Sequence, residues 1–291
     1  MKKIGFIFVI ILVSISCTKK EPATVTCFFQ GKDSYGREVK IEKEPQRIVS
    51  LSPAITEITF LLKEESKLVG VTDFCTYPPQ TEKLPKVGKL LNINTESILQ
   101  LKPDLVIISS VVSKKDVEKM ERAGLTVYAI KDEQHLTDLT HTIAILGELL
   151  NRKSEATQLI QSYNAEIEEY GGQQSAKKPS VYYVVGFGDG GDFTAPGTSF
   201  IQDIITLAGG RNIAEPLETW NISREYLFAQ DPDYIFIREE DCARFCRTEP
   251  YTRLKAVKNG HVFPINSGWI DILSPRNLQA VKLIHEKIEN R

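Results

Sequence analysis

The chain has 291 residues, of which 42% are hydrophobic and 25% charged, and its formal net charge at pH 7 is -2. The length fits about two domains of ~100–200 residues each, and the composition is that of a globular protein. Together they exclude a disordered chain, a collagen-like chain and a protein embedded wholly in the membrane. The balanced charge and the lack of RNA-binding, zinc-finger or basic-zipper patterns argue against a nucleic-acid partner.

Residues 1–17 have the pattern of an export signal rather than of a folded segment. Two lysines precede a nearly unbroken apolar run over residues 4–13, which is shorter than the about 20 residues of a membrane-spanning helix. Small residues stand before Cys17, as in bacterial lipoprotein signals, in which the cysteine is lipidated. We therefore expect a lipid at Cys17, with residues 18–34 as a tether and the domain held at a membrane surface outside the cytoplasm. A plain secretory signal is the alternative.

Four further cysteines follow at Cys27, Cys75, Cys242 and Cys246. In an exported protein they can pair into disulfides in three ways. The last two are close enough for a local bridge or a metal pair, but no histidine stands near them at ligand spacing. We predict structural or free thiols.

An internal repeat organises the rest of the chain. Residues 93–108 (INTESILQLKPDLVII) align without a gap with residues 222–237 (ISREYLFAQDPDYIFI). In each copy Asn94 or Ser223 is placed to cap a short helix, with a glutamate in its first turn. The helix ends before a proline, and the continuous apolar run that follows is typical of a strand in a parallel sheet. The repeat predicts two α/β lobes with equivalent elements.

A long helical segment connects the two predicted lobes. Apolar residues recur at helical spacing over residues 139–172 with no proline among them, and a turn near Asn151 divides the segment in one interpretation. The lobes then span residues 35–138 and 173–291. A helical connector is stiffer than crossing strands, so we expect domain closure to be small.

Ordered motifs in the N-terminal half resemble a known family. They are RIVSLSPAITE at residues 47–57, VGVTD at 69–73, YPP at 77–79 and KVG at 86–88, followed by the first repeat copy. This order is similar to the periplasmic binding proteins of ABC importers for vitamin B12, ferric siderophores and haem. The resemblance implies two Rossmann-like α/β lobes joined by a long rigid helix, a ligand cleft between the lobes, no cofactor and no catalysis.

Ligands of open α/β sheets bind beyond the carboxyl ends of the strands, and aromatic rings provide contact area for a large flat ligand. The residues in these predicted loops that we expect to bind ligand are Pro53, Phe74, Tyr77, Ser110, Phe187, Trp220, Arg238 and Trp269. For each aromatic residue taken alone, packing in a core or on the surface is the alternative.

The first motifs look most like those of cobalamin-binding members, so we expect cobalamin (vitamin B12) or a related corrinoid. After Gly88, however, family members often place an aromatic residue, and residues 89–91 here are KLL. Ferric siderophores and haem therefore remain alternatives. For haem, Tyr77 and Tyr251 are the candidate axial ligands.

Glu96 and Glu225 occupy equivalent positions in the two repeat copies. In the family that the chain resembles, one exposed acidic residue on each lobe docks into arginine pockets on the two copies of the permease. We expect these two glutamates to dock on a permease dimer that works with an ATPase. The alternative is simple complementarity to the helix dipole, which stabilises a helix by about 0.3–1 kcal/mol.

Other classes of protein find little support. The chain has neither a GxSxG elbow nor an HExxH motif, so an enzyme is not expected. The glycine-rich stretch GFGDGGD at residues 186–192 lacks the ending of a phosphate-binding loop and is interpreted as a flexible cleft loop. The four histidines of the chain are too few and too scattered for a zinc or manganese receptor. A structural lipoprotein, the last alternative, would lack a concave apolar site.

Overall fold

The computed structural model describes residues 27–89, 92–132, 134–172 and 178–289. The predicted export signal, Cys17 and the first part of the tether lie outside the described residues. No helix in the described part of the chain is both long and apolar enough to cross a membrane.

The N-terminal lobe is built around a parallel sheet. Its elements in chain order are β1 (Phe29–Lys32), β2 (Glu38–Ile41), β3 (Ile48–Leu51), α1 (Pro53–Leu61), β4 (Leu68–Val71), β5 (Gly88–Lys89), β6 (Asn92–Ile93), α2 (Thr95–Gln100), β7 (Leu105–Ser109), α3 (Lys114–Arg122) and β8 (Val127–Ile130). The sheet has the order β4-β3-β7-β8, with every pair parallel. β1 with β2, and β5 with β6, form antiparallel pairs.

Both faces of this sheet are covered, because alternate residues of each strand enter different cores. In β7, Leu105 and Ile107 belong to one hydrophobic core, whereas Val106 and Ile108 belong to another. All four side chains are fully buried. This explains why the strand has a continuous apolar run instead of an alternating pattern.

The predicted connector consists of two helices, α4 (Leu139–Leu149) and α5 (Lys153–Gly172). The turn between them includes Asn151, which adopts a left-handed backbone conformation with φ 59°. The two helices approach closely at Gly147, where an added Cβ would lie 2.4 Å from the Cβ of Ala156. The 20 residues of α5 give it a length of about 30 Å.

The C-terminal lobe is built around a second parallel sheet. Its elements are β9 (Ser180–Val184), α6 (Phe200–Leu207), β10 (Arg211–Asn212), α7 (Arg224–Gln230), β11 (Tyr234–Arg238), α8 (Glu239–Phe245), α9 (Lys255–Lys258), β12 (Val262–Ile265), α10 (Ser267–Ile270) and α11 (Asn277–Glu289). The sheet has the order β10-β9-β11-β12, and its pairs are parallel.

The internal repeat corresponds to equivalent elements in the two lobes. The side chains of Asn94 and Ser223 each cap their helix by accepting a hydrogen bond from a backbone N–H three residues further on. Both helices lead into the third strand of their sheet, β7 or β11. Gly124 and Gly260 then adopt left-handed conformations, with φ 87° and 71°, before the last strand of each sheet. The two-lobed α/β architecture predicted from the repeat is confirmed.

One hydrophobic core extends from one lobe to the other. It includes Ile107 of the first sheet, Ile143 of α4, Tyr163 of α5 and Phe236 of the second sheet. The connecting helices are therefore part of this core, and separating the lobes would expose it to water. This arrangement favours the small domain closure expected from the sequence.

The described cysteines carry free thiols. Cys75 is fully buried, and its sulfur lies 3.3 Å and 3.2 Å from the hydroxyl oxygens of Thr56 and Thr72. Cys242 and Cys246 lie one turn apart at α8, where burial, and then the neighbouring thiol, raise the pKa of Cys242.

Candidate functional site

A cleft of about 700 Å³ lies between the lobes. One wall is formed by the segments that follow β3, β4, β7 and β8 of the N-terminal lobe. The other is formed by α10 and the residues after it, with Phe200 at the start of α6. The cleft is thus at the carboxyl ends of the strands, where the sequence predicts it.

Four of the eight predicted ligand residues line this cleft together: Pro53, Phe74, Tyr77 and Trp269. Phe74 is 54% exposed and Tyr77 is 44% exposed, which is unusual for aromatic side chains of this size. Because their rings face the cleft, they offer apolar surface to a ligand.

The structure places Phe187 and Trp220 away from the described lining of the cleft. Phe187 is buried and packs edge-on against Phe245 and Tyr251, with ring centroids 5.0 Å and 5.5 Å away. Its position follows from the chain folding back on itself, with Gly186 bridged to Phe193. Trp220 is 45% exposed on the surface of the C-terminal lobe.

Ser110 and Arg238 lie beside the cleft without forming part of its described lining. The hydroxyl oxygen of Ser110 accepts a hydrogen bond from the backbone N–H of Asp132 at 2.8 Å. The Nε of Arg238 donates to Asp271 at 2.7 Å. Each therefore contacts an acidic residue that does line the cleft.

The glycine-rich stretch at residues 186–192 is also absent from the described lining, contrary to its interpretation as a cleft loop. The nearly buried carboxylate of Asp192 holds it in place. This carboxylate accepts hydrogen bonds from the Gly188 N–H at 3.2 Å, from the Arg224 Nε at 3.0 Å and from the Tyr251 hydroxyl. The Tyr251 hydroxyl is therefore engaged in this network.

Three charged residues of the cleft, Asp132, Asp271 and Arg276, were missed by the sequence analysis. Asp132 follows the apolar strand β8 almost directly, so the rule that selected the other loop residues could have found it. Asp271 and Arg276 lie beyond α10, at positions that no local pattern marks.

Arg276 connects the lobes at the cleft. Its Nε donates to one carboxylate oxygen of Glu57 at 2.8 Å, and its Nη2 donates to the other. Glu57 belongs to α1 of the N-terminal lobe and is 3% exposed. The Arg276 guanidinium carbon also lies 3.9 Å from the centre of the Tyr77 ring, within the range of a cation–π contact.

Asp271 is also compensated. Besides the bond from Arg238, its other carboxylate oxygen accepts a hydrogen bond from the Tyr183 hydroxyl at 2.5 Å. Burial, followed by the nearby negative charge of Asp271, raises the pKa of Tyr183 far above its ordinary value, so this phenol donates the bond throughout the physiological pH range.

Asp132 accepts a hydrogen bond from the Ser109 hydroxyl at 3.1 Å. Burial raises the pKa of Asp132, and the Ser109 bond opposes that rise only in part. Of the residues described as lining the cleft, Arg276 is the one cation, and Glu57 balances it. Since Arg238 balances Asp271, the charge of Asp132 gives the described cleft a negative character.

The two predicted docking residues are exposed in the first turns of α2 and α7. Glu96 lines a surface pocket of about 590 Å³ that Asp73 and Lys119 also line. Glu225 follows Arg224, whose guanidinium binds Asp192 and the carbonyl of Gly188. Asp73 follows β4 and Gly188 follows β9, so each glutamate lies near a segment that leaves the carboxyl end of a strand in its own lobe.

In the part of the chain that the structure describes, no group of three or more His, Cys, Asp or Glu side chains is arranged to hold a metal ion.

Comparison with known proteins matches residues 48–267 to a family model described as periplasmic binding protein. The ABC transporter substrate-binding lipoprotein YvrC of Bacillus subtilis (strain 168) is 30% identical over 267 residues, which cover 88% of this chain and 84% of YvrC. The structure of the periplasmic vitamin B12 binding protein BtuF of Vibrio cholerae superposes with a TM-score of 0.73 at 26% identity, covering 85% of this chain and 98% of BtuF.

The periplasmic heme-binding protein RhuT from Roseiflexus sp. RS-1, in its apo form, shares the fold. Its TM-score is 0.76 at 24% identity, and the match covers 84% of this chain and 98% of RhuT.

Proposed function

The chain belongs to the periplasmic binding protein family of solute receptors for transporters, and we propose that it captures cobalamin or a related corrinoid and delivers it to a membrane permease. As a substrate-binding protein of the ABC type it is not an enzyme. Cobalamin, haem and iron chelates are the ligand classes of its relatives.

The charge of the cleft is the observation on which we choose among the candidate ligands. A corrinoid is a flat ring whose edge bears primary carboxamides, which donate hydrogen bonds through N–H and accept them through C=O. Asp132 and Asp271 offer acceptors, and Arg276 offers donors. A ring of amides therefore finds complementary partners on both walls without bringing net charge into the cleft.

Anionic ligands fit this cleft less well. Haem carries two propionates, and many ferric siderophore complexes are negatively charged. Either would meet the carboxylate of Asp132, and like charges at close range repel. The described cation of the lining, Arg276, is already paired with Glu57, so binding an anion there would compete with that pair.

Apolar surface in the cleft also supports a corrinoid ligand. Phe74 and Tyr77 present rings from the N-terminal lobe, and Trp269 presents its indole from the C-terminal lobe. The volume of about 700 Å³ lies within the range of ~300–1,000 Å³ for ligand pockets. Rings on both walls are suited to a flat ligand held between the lobes.

Haem is the second candidate, and one observation favours it. The Tyr77 side chain lies in the cleft with 44% of its surface exposed, and a tyrosine can be an axial ligand of haem iron. Tyr251 is fully buried in the Asp192 network, so of the two candidate axial ligands we retain Tyr77.

Delivery requires an anchor and a docking surface. We propose that lipidated Cys17 holds the protein on the extracytoplasmic face of a membrane, in line with its signal-like sequence and with its relative YvrC, which is named a lipoprotein. We further propose that Glu96 and Glu225 contact the two subunits of a permease driven by an ATPase. Their exposure at equivalent helix starts supports this role.

Tryptophan fluorescence tests the ligand assignment, because the chain has two tryptophans and they have different environments. The mature chain is titrated with cyanocobalamin, hemin and a panel of ferric siderophores, with free N-acetyltryptophanamide as the control for light absorbed by the ligand. We expect saturable quenching by cyanocobalamin at micromolar or lower concentration. Quenching only by hemin or by a siderophore would transfer the assignment to that ligand.

A pair of variants locates the quenching. Trp220→Phe leaves Trp269 in the cleft and should retain most of the response to cyanocobalamin. Trp269→Phe leaves the surface tryptophan Trp220 and should lose most of it. The opposite pattern would contradict the cleft as the ligand site.

A further inference from the structure

The Glu57–Arg276 ion pair stands out because a buried acidic residue of one lobe holds the cleft-lining cation of the other. We propose that Glu57 is a positioning residue that sets the charge selectivity of the cleft. By cancelling the charge of Arg276, it allows the cleft to accept amide-bearing ligands and to reject carboxylate-bearing ligands of the same shape. This inference deepens the proposed function and rests on the cleft being the ligand site.

Burial makes the pairing obligatory. The side chain of Glu57 is 3% exposed and that of Arg276 is 16% exposed. A carboxylate this far from water is costly when it is unpaired. Arg276 therefore cannot turn from Glu57 to a ligand anion without leaving that carboxylate uncompensated, and it acts in the cleft as a hydrogen-bond donor rather than as an available cation.

The guanidinium is also confined on other sides. The Tyr77 ring lies 3.9 Å from its central carbon. Next to it on the C-terminal lobe is Gly268, where an added Cβ would lie 2.7 Å from Nη1. The absence of a side chain at Gly268 thus leaves the space that the Arg276 guanidinium occupies while it binds Glu57.

The two hydrogen bonds to Glu57 determine which N–H groups of Arg276 remain available to a ligand. Nε and Nη2 are committed to Glu57, whereas Nη1 lies beside Gly268 at the cleft wall. A carbonyl oxygen of a ligand can accept from Nη1 without disturbing the ion pair. The carboxylates of Asp132 and Asp271 then favour a neighbouring N–H donor, and one primary amide group supplies both functions.

The test compares ligands that differ only in charge. Cyanocobalamin and its monocarboxylic acid derivatives share the ring and differ by one amide replaced by one carboxylate. For the mature chain at fixed pH and ionic strength, we expect the acid to bind at least tenfold more weakly than the amide. Glu57→Gln, which keeps the shape and releases the charge of Arg276, should reduce this ratio by tenfold or more.

Matched variants separate charge selection from a structural role. Glu64 is another buried carboxylate, paired with Arg152 and Lys67 outside the described cleft lining, so Glu64→Gln should leave the ratio unchanged. Adding Arg276→Gln to Glu57→Gln removes the released charge and should restore the original ratio. Equal weakening of both ligands by Glu57→Gln, with no change in their ratio, would overturn the inference.

Two further measurements keep the inference testable in other outcomes. If Glu57→Gln fails to fold, Gly268→Ala is used instead, because it displaces the Arg276 guanidinium from Glu57 without changing any charge. This variant should also lower the ratio of amide to acid affinity. If the wild type binds no corrinoid, the proposed function fails, and the ratio is measured with haem and its dimethyl ester, which differ in two propionate charges. If Glu57→Gln leaves the ratio of haem to ester affinity unchanged, the inference is overturned.

Discussion

The two lobes have the same strand order and the same capped helix before the third strand, yet they place their aromatic residues differently. In the N-terminal lobe, Phe74 and Tyr77 are about half exposed and line the cleft. In the C-terminal lobe, Phe187 and Tyr251 are packed into a core that includes Phe245 of α8. The repeated scaffold therefore determines where the cleft is, while the loops determine which side chains reach it.

The lobes also differ in charge. The C-terminal lobe contributes Asp271 and Arg276, each with a partner that balances it. The N-terminal lobe contributes Asp132, whose described partner is the neutral hydroxyl of Ser109. One wall thus supplies most of the exposed ring surface and an acceptor, and the other supplies compensated polar groups.

The largest expected effects come from alanine substitutions of two phenylalanines, one in each lobe. Phe187→Ala empties a packed position in the core and should lower the free energy of unfolding by about 3–5 kcal/mol. Phe74→Ala removes an exposed ring and should change stability by less than about 0.5 kcal/mol, while weakening ligand binding about tenfold, or about 1.4 kcal/mol. Urea denaturation and ligand titration of both variants measure the two quantities.

The proposed difference between the two lobes is contradicted if Phe187→Ala weakens ligand binding and Phe74→Ala lowers stability. A Phe187→Ala protein that is as stable as the wild type but has lost ligand affinity would place Phe187 in the ligand site, as the sequence alone suggested. Leu61→Ala, at another exposed apolar position outside the described cleft lining, serves as the control for loss of surface area.

Variants of the two proposed docking residues test whether the lobes are equivalent toward a permease. Glu96→Arg and Glu225→Arg each reverse an exposed charge and should reduce ligand uptake in cells by tenfold or more, because a glutamate–arginine contact becomes a repulsion. Ligand affinity of the purified variants should stay the same. Glu168→Arg, an exposed position on α5, is the matched control.

Equal losses for the two reversals would support symmetrical docking. A loss at only one position would show that the lobes contact the permease unequally, and unchanged uptake for both would refute the docking role.

The smallest expected effect concerns pH. Burial raises the pKa of Asp132 in the N-terminal lobe, so its charged form disfavours folding at neutral pH. Relative to Asp132→Asn, the wild type should gain stability as the pH falls through the raised pKa. The pH dependence of the melting-temperature difference between the two proteins measures this.

Asp233 in the C-terminal lobe should show the opposite sign. Burial alone raises its pKa, but hydrogen bonds from Ser180 and the charge of Lys255 outweigh this and leave the pKa lowered. The wild type should therefore be more stable than Asp233→Asn near neutral pH and lose that advantage as the pH falls through the lowered pKa. Slopes of the same sign in both lobes would contradict the assigned causes.

The sequence predicted the features that local patterns encode. The repeat gave the paired lobes, because Asn94 and Ser223 cap their helices within three residues and β7 and β11 are continuous apolar runs. The same analysis misplaced Phe187, since its burial depends on Asp192 holding a loop through tertiary contacts. It also missed Arg276, whose partner Glu57 is 219 residues away and is not related to it by any local spacing.

The core shared by both lobes and by the connecting helices has a consequence for transport. A receptor joined in this way is expected to change the spacing of Glu96 and Glu225 little when it is loaded. Under the proposed docking, its empty form would present a permease with nearly the same face as its loaded form, and the two forms would compete for one binding site. The rate of import would then depend on the number of receptor copies per transporter, and an excess of empty receptor would act as an inhibitor.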